Sequence, residues 1–143
     1  MNPTARPNYV LRAAIAIVGA FVVFLGLNVG LGGIQTLGWQ GGAAPFLDIT
    51  DASMFAVRDN HIRFIGGVWL SLGLLMLAGS IAFQQMRSVL IPLTAMMFVG
   101  GVVRFASGDF ATLFSVSLVP SLIFEIVVAP LLGLWIWKAE RAD

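Results

Sequence analysis

The sequence predicts an all-α integral membrane four-helix bundle with both termini on the cytoplasmic side, and three observations carry that prediction. The chain is 59% hydrophobic and only 10% charged over 143 residues, against roughly 45–50% and about 25% in soluble domains. Four apolar stretches, each near the ~20 residues that cross a bilayer as a helix, fill most of it. Lys and Arg favour one side of those stretches, which marks that side as cytoplasmic. At this length a single transmembrane domain, 1–143, is expected.

The first span is read at about 12–31, after a polar start bearing Arg6 and Arg12. It is too long for the ~7–15-residue core of a secretory signal, so it reads as an uncleaved anchor. Gly19, Gly26, Gly30 and Gly33 share one face of it and include a Gly26-x-x-x-Gly30 spacing that suits close helix packing. An outer loop, 32–60, follows, broken by Gly38, Gly41, Gly42 and Pro45 and carrying Asp48 and Asp51. Within it Asp51 is placed to cap a short helix from Ala52 to about Arg58, and Trp39 and Phe46 suit the membrane interface.

The second span is read at about 62–83, and Gln84 to Ser88 as a polar turn with Arg87. The third, about 89–106, has Pro92 in its first turn and closes on Ser107-Gly108-Asp109 with glycine as the stop. The fourth, about 119–138, opens on Pro120, and Pro130 predicts a kink inside it. Trp135 and Trp137 mark its interface, and 138–143 return to water. Arg6, Arg12, Arg87, Lys138 and Arg141 then face the cytoplasm, and Arg58, Arg63 and Arg104 the other side. In a bacterium this is a multi-pass protein of the inner membrane.

This topology carries Arg63, Arg104 and Glu125 to the outer end of the spans, Glu125 lying about 8 Å below the start of the fourth helix. Unpaired charges in hydrocarbon cost several kcal/mol, so the three are expected to cluster, as a structural ion pair or as a site for a small polar or lipid ligand. Asp59, His61 and Asp109 form the rim of that cluster, with Asp59 read as a cap on the second helix. Gly66, Gly67, Gly100 and Gly101, near the outer ends of spans two and three, are read with Gly26 and Gly30 as packing glycines.

The chemistry this sequence can support is narrow. With no cysteine there is neither disulfide nor thiolate. The lone His61 has no second ligand at helical spacing, so no metal is expected, and no cofactor or catalytic residue is assigned, since nucleophile, zinc and phosphate-loop motifs are all missing. The scattered basic residues exclude nucleic acid as a partner. The lipid bilayer is the expected partner, with homo-oligomerisation left open.

Arg63-Phe64-x-Gly66-Gly67, Gly100-Gly101-x-x-Arg104-x-x-Ser107-Gly108 and Glu125 in the last span together resemble the bacterial membrane family known as domain of unknown function 4345. The resemblance covers most of the chain. It implies a four-span protein with no assigned activity, and marks Arg63, Arg104 and Glu125 as its characteristic polar positions.

The expected function is therefore non-enzymatic: an uncharacterised four-span membrane protein whose outer Arg/Glu cluster organises the bundle or binds a ligand under the loop. The alternative is a small proton-coupled transporter acting as a dimer, with Glu125 as proton carrier.

Overall fold

A computed structural model describes residues 8–35 and 49–139, all helix or short connection among those residues. The expectations for Arg6, Gly38, Trp39, Gly41, Gly42, Pro45, Phe46, Asp48 and the tail 140–143 lie outside the described residues. Among the described residues, four helical stretches are long and apolar enough to cross a membrane: Tyr9–Gln35, Ala52–Ile81, Phe83–Ser107 and Val119–Lys138. This is an all-α membrane protein.

In order, the elements are α1 (Tyr9–Gly32) with a 3-10 turn (Gly33–Gln35), α2 (Ala52–Ile81), and α3 (Phe83–Val103) with a 3-10 turn (Arg104–Ser107). A short α4 (Phe110–Leu113) follows, then α5 (Val119–Ile123), a π-helical turn (Phe124–Val128) and α6 (Ala129–Lys138), which together make the last span.

Four sequence expectations about the helices change. Asp51 caps as expected, accepting from the Ser53 and Met54 N–H groups at 3.0 Å each, but the helix it starts does not end near Arg58. It runs unbroken through 30 residues, because nothing between Ala52 and Phe64 is a helix breaker and the polar residues there are all tolerated on an exposed helix. At about 45 Å it exceeds the ~30 Å hydrocarbon core. Gln84 to Ser88 are not a turn but the first turns of α3; the break is Ala82 alone, at φ −101° and ψ 50°. Pro92 consequently lies in the interior of α3. The irregularity expected at Pro130 appears just before it, as the π turn, where the Ala129 N–H reaches back to the Phe124 carbonyl.

The described chain groups into two compact units, Ala16–Leu77 and Met1–Ile15 with Ala78–Asp143. In the first, α1 and α2 touch backbone to backbone. A Cβ on Gly26 would overlap the Leu70 backbone, and one on Gly66 the Gly30 backbone; one on Gly73 would sit 2.6 Å from the Val23 nitrogen. Small residues on both helices permit this approach, the packing that membrane helices use where apolar burial offers no drive.

In the second unit, Phe83, Leu90, Leu93 and Met97 of α3 form a core with Leu122, Ala129, Leu132 and Ile136 of the last span. Buried Thr94 lies against Gly133, where a Cβ would come within 2.5 Å of its hydroxyl oxygen. The α3 series Arg87, Leu90, Thr94, Met97, Gly101, Gly108 repeats at identical intervals the α1 series Arg12, Ile15, Gly19, Val22, Gly26, Gly33. The last members, Gly33 and Gly108, are the two described glycines with positive φ, at 71° and 69°. Both stand where a helix ends in a 3-10 turn, a conformation that favours glycine.

Candidate functional site

Three arginines solve one physical problem. The last carbonyls of a helix have no intrahelical donor, and in hydrocarbon no water replaces it. Arg12, in the first turn of α1, donates from Nε to the Ser80 carbonyl at 2.7 Å and from Nη2 to that of Ile81 at 2.5 Å. Arg87, early in α3, does the same for the end of α6, donating to the carbonyls of Ile136, at 3.0 Å, and Trp137. Arg63 of α2 donates to the Gly30 and Leu31 carbonyls at the end of α1. A guanidinium placed there also meets the negative end of the helix dipole.

Arg63 thus lies well inside α2 rather than in its first turn, and its Nε donates to Asp59 one turn earlier at 2.6 Å. Asp59 is not the cap of α2. Its other oxygen accepts the Ile34 N–H at 2.8 Å, closing the end of α1, a geometry reached because Gly33 turns the chain at positive φ. His61, exposed on α2, has Nδ1 2.8 Å from the Val57 carbonyl of its own helix.

Arg104 and Glu125 come together in the other unit. Nε donates to Oε2 at 2.6 Å and Nη2 to Oε1 at 2.7 Å, a bidentate fork. The Glu125 side chain is only 4% exposed, while that of Arg104 is 35% exposed. The acid is sealed and the arginine reaches the surface. Two local features set this geometry. Arg104 opens the 3-10 turn that Gly108 closes, its N–H donating to the Phe105 carbonyl at 3.2 Å. Glu125 sits in the π turn, whose extra residue rotates what precedes it by about 100° relative to α6. Gly101 provides the room, since a Cβ there would fall 2.7 Å from that of Glu125.

The glycines divide. Gly26, Gly30, Gly66 and Gly101 face neighbouring chain, whereas a Cβ on Gly67 or Gly100 would meet nothing within 4 Å. Asp109 caps α4, accepting the Thr112 N–H at 3.0 Å. Hydrogen bonds from Thr112, the hydroxyl foremost and then the backbone, hold its carboxyl below the usual carboxylate range. Asp51 is likewise held low, by the Met54 N–H first and the Ser53 hydroxyl next. The described residues bring together no group of three or more His, Cys, Asp or Glu able to hold a metal.

The family described as domain of unknown function (DUF4345) matches residues 10–136. The chain belongs to this family. The DUF4345 match takes in Arg12, Arg63, Arg87, Arg104 and Glu125. No curated protein and no solved structure matches the chain.

The carbonyl-capping roles of Arg12 and Arg87 escaped the sequence reading, which counted both only toward orientation. Their signal is an arginine in the first turns of a membrane helix, where it lies beside the end of an antiparallel neighbour.

Proposed function

We propose that this DUF4345 protein is a non-enzymatic, multi-pass protein of the bacterial inner membrane with both termini in the cytoplasm. In this reading the Arg104–Glu125 pair, formed between the third and fourth spans at their outer end, presents a guanidinium edge to a small polar or lipid ligand. The carrying observation is the asymmetry of the pair, a sealed acid forked to an arginine that remains one-third exposed. The exposed half lowers the desolvation cost of the pair and at the same time leaves a guanidinium edge free for a ligand, while a fully buried pair is often no better than its apolar replacement.

The transporter reading asks Glu125 to load and release a proton. Both its oxygens are held by one guanidinium, which supports a fixed pair over a carrier.

The test compares wild type with the double variant Arg104→Leu/Glu125→Leu in detergent, titrating each with soluble headgroup analogues such as phosphoethanolamine while following thermal unfolding. The reading predicts stabilisation of wild type alone. Equal response of both proteins would refute it.

A further inference from the structure

The site extends beyond the ion pair into the connection between α3 and α5. Residues 109–118 contain one charged side chain, Asp109, and no Lys or Arg. Phe110, Phe114 and Val116 are 57%, 58% and 93% exposed. A water-facing turn would not display so much apolar surface, so this segment lies in the membrane interface. It is fixed to the Arg104 turn: the Phe105 and Phe114 rings meet edge to face with centroids 6.4 Å apart.

Arg104 has a donor to spare. Nε and Nη2 serve Glu125, and Nη1 has no partner among the described residues. No buried side-chain nitrogen or oxygen among those residues lacks a partner, so Nη1 is at the surface. Of the nearby charges, Glu125 neutralises Arg104, and Asp109, across the Gly108 turn, adds a negative charge. A purely anionic ligand would meet that excess, whereas a zwitterion would satisfy both ends.

We propose that Arg104 Nη1, Asp109 and the Phe105/Phe110/Phe114 shelf form a site for a zwitterionic aminophospholipid. The phosphodiester accepts from Nη1, the ammonium faces the Asp109 carboxylate, and the upper acyl chain lies on the aromatic shelf. The geometry joins charge complementarity to an apolar surface of the same end of the molecule. This inference rests on the ligand-presenting reading of the Arg104–Glu125 pair and names the ligand class.

The test is native mass spectrometry of the full chain in non-ionic detergent, titrated with dioctanoyl phosphatidylethanolamine, dioctanoyl phosphatidylglycerol and soluble phosphoethanolamine. Wild type should take up the zwitterionic lipid saturably and in preference to phosphatidylglycerol. Arg104→Lys should weaken binding by about tenfold, the equivalent of one charge-assisted hydrogen bond. Phe110→Ser/Phe114→Ser, which leaves the ion pair intact, should weaken it comparably, and Asp109→Asn should abolish the preference over phosphatidylglycerol. Equal uptake by wild type and the Phe110/Phe114 variant would overturn the proposal even if Arg104→Lys fails to fold. Binding of soluble phosphoethanolamine as tight as that of the lipid would overturn the lipid site while leaving the ligand-presenting pair standing. Binding of neither would overturn both.

Discussion

The α1–α2 pair and the pair formed by α3 with the last span share a plan but differ at the glycine close approach. In each, an arginine at the start of the first helix caps the carbonyl end of the second. In each, a glycine on the first helix lets the second approach, Gly26 against Leu70 and Gly101 against Glu125. In each, a positive-φ glycine ends the first helix region. At the close approach the first pair has a leucine in regular helix, while the second has a buried acid in a π turn, forked to Arg104. Since the first pair makes its glycine close approach without an acid there, an acid at that position is not a requirement of the approach. The departure from the shared plan is therefore where function is to be sought.

The largest effect separates backbone contact from side-chain contact. Gly26→Val would drive a Cβ into the Leu70 backbone and should remove folded protein altogether, seen as loss of the monodisperse peak in size-exclusion chromatography. Gly101→Val meets the Glu125 and Ile126 side chains and should cost about 1–3 kcal/mol, as overpacking does.

Glu125→Leu alone leaves Arg104 without its anion and should cost up to about 3–5 kcal/mol in chemical denaturation, less what the exposed third of the guanidinium side chain recovers from water. An effect below about 1 kcal/mol would mean that Arg104 swings to water or lipid phosphate at no cost.

Smaller and matched effects are expected where the two pairs agree. Arg12→Met and Arg87→Met should each destabilise by about 1–2 kcal/mol, the value of charged donors at helix ends. A large inequality between them would break the parallel.

The smallest effect is acid sensitivity. Asp51 and Asp109 have folded-state pKa values depressed by hydrogen bonds to their ionised forms. Their stabilisation is complete above the unfolded carboxylate pKa of about 3.9 and is lost as pH falls through the lower folded value. Asp51→Asn/Asp109→Asn should therefore flatten the thermal-stability profile below about pH 4 and leave the slope between pH 5 and 8 unchanged.

Much of the fold was legible because membrane spans declare themselves by length and apolarity. The four spans follow from the runs around Ala13, Phe64, Val89 and Pro120, and the Gly108 stop and Asp51 cap from local chemistry alone. The extent of α2 was not legible, because the polar run from Arg58 to His61 read as the break between a short helix and the second span although each residue is accommodated on a helix. The cap role given to Asp59 failed for the same reason: once the helix begins at Ala52, Asp59 is a mid-helix residue whose partners come from the end of α1. Of the polar positions, Arg104 and Glu125 meet in one unit, while Arg63 is held in the other by Asp59 and two carbonyls. Hydropathy and charge place a residue at a depth in the membrane; they do not say which of several acceptors at that depth it takes.

The central claim, that the Arg104–Glu125 pair is not needed for packing, is met most directly by equilibrium unfolding of Arg104→Leu/Glu125→Leu beside Glu125→Leu. The account predicts that the double variant recovers to within about 1 kcal/mol of wild type, as apolar replacements of buried pairs commonly do. A double variant as unstable as the single one would show that the pair holds the helices together, and would contradict the account.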